Sequence, residues 1–118
     1  MANILVVDDQ MGVRRLLFET FKEEGHVVKM AENGSEAIRI FKDFHPSLII
    51  MDMKMPEMNG IDTLKEIRTF NKDVNVIMMT AYGDAQNLEK AQEQGITQYV
   101  SKPFDLFELR DNVRQLLK

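Results

Sequence analysis

Five polar residues end short apolar runs: Asp8 and Asp9 after ILVV, Asp52 after IIM, Thr80 after VIMM, and Lys102 just past YVS. Brought together, three carboxylates, a hydroxyl and an ammonium form a set suited to phosphate. Clustered carboxylates resist joint ionisation unless a cation compensates, and a hard oxygen-seeking ion such as Mg2+ suits them while leaving room for phosphoryl oxygens. In an open parallel α/β sheet, ligands bind outside the carboxyl ends of the strands, so residues ending separate runs can converge on one site. The pattern points to metal-assisted phosphoryl chemistry.

Each residue alone has an ordinary reading. Asp8 and Asp9 could be a turn followed by a helix cap, and Asp52 a turn residue before the Pro56 and Asn59-Gly60 loop. Thr80 alone is a satisfied strand-end hydroxyl, and Lys102 a solvated surface charge. Joint occurrence at successive strand ends lifts them above coincidence.

The elements that must position these residues follow from period and punctuation. Apolar runs over Asn3 to Val7, Val27 to Ala31, Ser47 to Met51, Val74 to Met79 and Thr97 to Val100 read as strands. Amphipathic stretches lie between them. The first helix, about Met11 to Glu24, sets Val13, Leu16, Leu17, Thr20 and Phe21 inward and stops at Gly25. The second, from Asn33, buries Ala37, Ile38 and Phe41 before His45 and Pro46. The third follows Asn59 and Gly60 with Ile61, Leu64 and Ile67 inward. A polar fourth helix spans about Asp84 to Gln94, and a fifth carries Leu106, Leu109, Val113 and Leu116. Alternating βα units with continuously apolar strands imply a parallel sheet covered on both faces. The expected fold is α/β: a doubly wound, five-stranded parallel sheet of flavodoxin-like order 2-1-3-4-5 with five helices. Asp8, Asp9 and Asp52 fall at its switch point.

Bulk composition narrows the function classes. A chain of 118 residues suits one domain, expected over residues 1–118. The net charge of -4, with no basic run, argues against direct nucleic-acid binding. Without cysteine there are no disulfides, thiolate metal sites or cysteine nucleophiles. No cleavable leader or membrane-length apolar segment is visible, so a cytoplasmic protein is expected. Met51, Met53, Met55, Met58, Met78 and Met79 read as core filling rather than a soft-metal box. His26 and His45 belong to turns facing away from the switch point. Tyr82 and Gly83 form the loop after Thr80, an ordinary turn or a flexible segment that lets the threonine move.

VVDD at the first strand end, MDMKMPEMNG around Asp52, MMTAYGD after the fourth strand and SKPFD after the fifth together resemble the receiver domain of two-component response regulators, over essentially the whole chain. Within that family, VDDQMGVRRLLFETFKEEG, DMKMPEMNGIDTLKEI and KPFDLFELRDNV are similar to the single-domain phosphotransferases of sporulation phosphorelays. The resemblance implies that Asp52 accepts a phosphoryl group from a partner's phosphohistidine. It implies Mg2+, with Mn2+ as an alternative, held by Asp9, Asp52 and the Lys54 carbonyl, with Asp8 assisting directly or through water. Thr80 and Lys102 would contact the phosphoryl oxygens, and Tyr99, where the sporulation relatives carry histidine, would change rotamer with Thr80 as a switch. The Lys102-Pro103 bond is expected to be cis.

Partners are implied by the same likeness: a sensor histidine kinase and a histidine phosphotransferase or other effector, docking a monomer at Gln10, Met11, Gly12, Val13 and Arg14 beside Pro103 and Phe104. Two functions follow. In one, the chain is a phosphoryl carrier that catalyses its own phosphorylation rather than a multiple-turnover enzyme, and passes the group onward in a phosphorelay, sporulation being the expected output. In the other, phosphorylation switches binding to an effector. An aspartyl phosphatase would want an acid catalyst and a cap, and a flavin binder would want a hydroxyl- and glycine-bearing phosphate loop after the first strand; neither is visible.

Overall fold

The computed structural model describes residues 1–81 and 85–118. Tyr82 and Gly83, and the expected helix start at Asp84, lie outside the described residues. The strands are β1 (Asn3–Val7), β2 (Val27–Ala31), β3 (Leu48–Asp52), β4 (Asn75–Thr80) and β5 (Gln98–Ser101). The helices are α1 (Met11–Glu23), α2 (Gly34–Phe44), α3 (Gly60–Arg68), α4 (Ala85–Glu93) and α5 (Leu106–Leu116). All strand pairs are parallel and the order is β2-β1-β3-β4-β5, as expected.

Strand alternation divides the core into two layers. Leu5, Val7, Ile49, Met51, Val76 and Met78 pack with Ala37, Phe41, Ile61, Leu64, Ile67 and Ala91. Ile4, Val6, Leu48, Ile50, Ile77 and Met79 pack on the other face with Leu17, Phe21, Leu109 and Val113. Because both faces are covered, β3 is buried along its whole length. Burying each such aliphatic side chain contributes about 1.5–3 kcal/mol. Met51, Met53, Met55, Met78 and Met79 are core residues, as their composition suggested, whereas Met58 is only half-buried.

Two expectations need correction. Three strands begin and end one residue later than expected, at Leu48–Asp52, Asn75–Thr80 and Gln98–Ser101, so Asp52, Thr80 and Ser101 end β3, β4 and β5. The polar residues still find ladder partners: the Met53 N–H donates to the Met79 carbonyl at 2.9 Å and the Lys102 N–H to the Thr80 carbonyl at 2.7 Å. Leu16 does not join the inward face of α1; it is 46% exposed. Leu17 and Phe21 occupy the buried stripe, and Leu16, one position before Leu17, is rotated about 100° away from it.

Local chemistry fixes the helix ends. The Asn33 side chain accepts from the Glu36 N–H, Asn59 from Asp62 and Asp105 from Phe107 and Glu108, each cap being worth about 1 kcal/mol. Gly25 follows α1 with φ +90°, the conformation a helix stop of this kind favours. His26 and His45 lie at the opposite end of the sheet from Asp52: the His26 Nδ1 accepts the Ala2 N–H, and His45 caps α2 in a left-handed conformation. The Arg68 guanidinium, at the end of α3, donates to the carbonyls of Gln94 and Gly95 and so closes the carboxyl end of α4.

Two helix starts press directly on neighbours. A methyl group on Gly34 would collide with the Thr63 hydroxyl, and one on Gly60 would stand 2.5 Å from the Asp52 carbonyl oxygen. Gly12 has open space around it. We therefore expect Gly34→Ala and Gly60→Ala each to lower stability by about 1–3 kcal/mol, and Gly12→Ala to be neutral or stabilising by up to about 1 kcal/mol. Urea midpoints at unchanged m-value test this; a Gly60→Ala midpoint equal to that of the native chain contradicts it.

Candidate functional site

The strand order sets β3 between β1 and β4, with β5 beyond, so the ends of all four border one mouth. Asp8 and Asp9 follow β1, Asp52 closes β3, Thr80 closes β4, and Lys102 follows β5. Carboxylate oxygens of Asp8, Asp9 and Asp52 lie within 4.8 Å of one another. Lys102 crosses to meet them, its Nζ at 2.8 Å from Asp8 Oδ2 and 3.4 Å from Asp52 Oδ2. Thr80 Oγ1 donates to the Val100 carbonyl at 3.3 Å. The structure thus gathers the residues that the strand-end pattern singled out.

Their environments differ. Asp8 is fully buried, Asp52 is buried beneath the mouth, and Asp9 faces solvent. Burial, then the Asp8 charge, pushes the Asp52 carboxyl up to about 6, against the pull of Lys102 and of the Lys54 backbone N–H. Lys102 is held above the usual lysine range: burial opposes its charge, but the Asp8 hydrogen bond and the Asp52 charge outweigh that. Among the described residues, Lys102 sets one ammonium against two of the three carboxylates. The donor set is all hard oxygen with a deficit of positive charge, which fits Mg2+ or Mn2+ and does not fit a soft metal.

Tyr99 stands apart from this cluster, on β5 and 49% exposed. Around the mouth, Gln10, Met11, Gly12 and Pro103 are exposed while Val13, Arg14 and Phe104 are half-buried. Val13 and Phe104 pack on the α1 and α5 core layer, and with Gln10, Leu16, Lys102 and Pro103 they line a shallow, mainly apolar groove of about 480 Å³. The Lys102-Pro103 bond is cis, as the resemblance implied. Three contacts escaped the sequence reading. The Gln10 N–H donates to Asp8 Oδ1 at 2.8 Å, the Gln10 side-chain oxygen lies 3.5 Å from Lys102 Nζ, and Arg14 Nη1 donates to the Asp8 carbonyl at 2.7 Å. The first follows an Asp-x-x turn spacing that sequence can suggest; the others carry no sequence signal.

Comparison with known proteins agrees with the geometry. The family model for the response regulator receiver domain matches residues 4–114. The chain is 42% identical to sporulation initiation phosphotransferase F of Bacillus subtilis, over 97% of this chain and 92% of that protein. It is 44% identical to regulatory protein AtoC of Escherichia coli, covering 98% of this chain and 25% of that longer protein. Among solved structures, the response regulator protein TrrA of Thermotoga maritima in complex with Mg2+-BeF superposes with a TM-score of 0.87 at 38% identity, covering 98% of this chain and 99% of that one.

The raised Asp52 carboxyl has a consequence for stability. Its folded value lies above the ordinary 3.8, so the native state binds that proton more tightly than the unfolded chain does. The contribution is present below pH about 4 and is lost as pH rises through about 6, amounting to about 3 kcal/mol at most. We expect Asp52→Asn, without divalent metal, to be more stable than the native chain at pH 7.5 and to flatten the stability profile between about pH 4 and 6.5. Denaturant unfolding across that range tests this; superimposable profiles contradict it.

Proposed function

The chain belongs to the response regulator receiver domain family of two-component signalling, and from that premise we propose that it is a phosphoryl carrier of a phosphorelay. Asp52 takes the phosphoryl group from a phosphohistidine of a sensor kinase and passes it to a histidine on a downstream phosphotransferase. One observation carries this reading: the Asp52 carboxylate, 11% exposed, stands 3.4 Å from the Lys102 ammonium at a mouth shared with Thr80. The near-complete mutual coverage with a sporulation initiation phosphotransferase supports the relay role and makes initiation of sporulation the output we favour.

Phosphoryl transfer asks the protein to align reactants and to neutralise charge spreading over the equatorial oxygens. An Asp52 carboxylate oxygen attacks phosphorus in line, an O–P bond forms, and the N–P bond to the partner imidazole breaks with its electron pair remaining on nitrogen. Lys102, already between Asp8 and Asp52, moves with the new charge and pairs with a phosphoryl oxygen. The Thr80 hydroxyl exchanges the Val100 carbonyl for another of those oxygens. Mg2+, when bound, would be held by Asp9, Asp52 and the Lys54 carbonyl with Asp8 assisting, and would supply the remaining positive charge that keeps Asp52 ionised. The product is an acyl phosphate, reactive enough to be handed to another histidine. The apolar groove beside the mouth is where a helical, histidine-bearing partner docks, with Val13 and Phe104 on its wall.

A second reading has its own observation. Thr80 is hydrogen-bonded to Val100, the residue after the exposed Tyr99. Withdrawal of that hydroxyl toward a phosphoryl group releases β5 next to Tyr99, a route by which phosphorylation alters an effector-binding face.

We expect incubation with Mg2+ and acetyl phosphate to add one phosphoryl group to the native chain by intact mass and none to Asp52→Ala, with Lys102→Ala and Thr80→Ala slowed about 100-fold. No adduct on the native chain sinks the proposal. Transfer from the phosphorylated chain to a histidine phosphotransferase identifies a carrier; a changed affinity for an effector without transfer identifies a switch. Val13→Ala and Phe104→Ala are expected to slow transfer from a cognate kinase about tenfold, as truncated interface anchors do, with acetyl phosphate loading unaffected. Normal rates from the kinase remove these residues from the docking surface.

A further inference from the structure

Arg14 is grouped by sequence position with a docking surface, but its side chain is directed inward. Its Nη1 donates to the main-chain carbonyl of Asp8 at 2.7 Å, and its own N–H donates to the Gln10 carbonyl at 3.0 Å. The Gln10 N–H in turn donates to Asp8 Oδ1 at 2.8 Å. These three bonds tie the residues bridging β1 and α1 into a closed ring. The remaining polar atoms of Asp8 are also committed, Oδ2 to Lys102 at 2.8 Å and the N–H to the Ala31 carbonyl at 3.1 Å. Gln10 offers α1 no side-chain cap, so the first turn of that helix is secured by this ring instead.

The Asp8 carbonyl belongs to the same peptide unit as the Asp9 nitrogen. That unit is planar and rigid, so fixing its oxygen fixes the direction in which Asp9 leaves the strand. Asp9 is the exposed carboxylate of the three, and it leaves β1 directly from this turn. We infer that Arg14 is a positioning residue for the cation site, acting through the Asp8-Asp9 peptide, and does not serve only to meet a protein partner. The inference rests on the receiver chemistry proposed above. Groups that hold metal ligands in place commonly change metal affinity 10–100-fold when removed.

The test compares Mg2+ binding by calorimetry in the native chain, Arg14→Ala, Arg14→Lys and, as a control on the exposed neighbour, Arg15→Ala. Arg14→Ala is expected to raise the Mg2+ dissociation constant about tenfold, Arg14→Lys to recover part of the loss through a single donor, and Arg15→Ala to match the native chain. Acetyl phosphate loading of Arg14→Ala should approach the native rate as Mg2+ is raised, showing that the defect lies in cation affinity. Circular dichroism and urea unfolding establish that each variant is folded; if Arg14→Ala is not, Arg14→Lys decides, with a weakened constant expected. Native Mg2+ affinity in the folded variant, with slowing seen only when a protein donates the phosphoryl group, overturns the positioning role in favour of docking. Failure of the native chain to bind Mg2+ overturns the receiver chemistry itself, and the inference with it.

Discussion

Charge imbalance at the carboxyl ends of β1 and β3 is the constraint from which the rest of the molecule follows. Three carboxylates lie within 4.8 Å of one another and one ammonium reaches two of them. A unit-charge pair about 4 Å apart carries about 4 kcal/mol at an effective dielectric near 20, so a single lysine cannot balance the set. The protein relaxes this by exposure at Asp9 alone among the three. It buries Asp8, keeps Asp52 beneath the mouth, and leaves Asp9 open to solvent. The resulting site has an unmet demand for positive charge, which suits the cation and phosphoryl group proposed for it.

Holding like charges together requires a frame that cannot yield, and the sheet provides it. β3 is covered on both faces, so Asp52 ends a strand whose neighbours on either side are fixed by parallel ladders. Beyond it, the Met53 N–H is bound by Met79 and the Met53 carbonyl by the Gly60 N–H at 2.8 Å. The start of α3 therefore clamps the Met53–Lys54 peptide that follows directly on Asp52. Lys102 is tied to Thr80 through the main chain at 2.7 Å, so the two groups that would meet a phosphoryl oxygen share one ladder. Hydrophobic burial on both layers offsets the electrostatic cost at the mouth.

Much of this was legible in the sequence because the fold writes itself in period and punctuation. Apolar runs gave the five strands to within about one residue, and their terminal Asp8, Asp52 and Thr80 meet where the expected order 2-1-3-4-5 brings the strand ends together. Three strands sit one residue later than their apolar runs because ladder hydrogen bonds continue past the last apolar side chain, which composition does not reveal. Three- and four-residue spacing puts Leu16 on the inward face of α1 with Val13 and Thr20, yet Leu17, about 100° further round, already fills the buried stripe and Leu16 is left exposed. The Arg14 contact with Asp8 and the Arg68 contact with Gln94 were invisible: an arginine is chosen for such a site by the carbonyls it reaches, and those come from elsewhere in the chain. Sequence pattern reports which face a residue occupies, whereas directed hydrogen bonds emerge only when faces are assembled.

Asp52 sits in an environment short of positive charge, and its side-chain carboxyl can be titrated directly by carbon NMR with and without Mg2+. A midpoint near 6 in the metal-free chain, falling well into the acidic range when Mg2+ is present, is the predicted result. An ordinary carboxylate midpoint that Mg2+ does not move would mean that the three acids are not competing for one cation, and would contradict it.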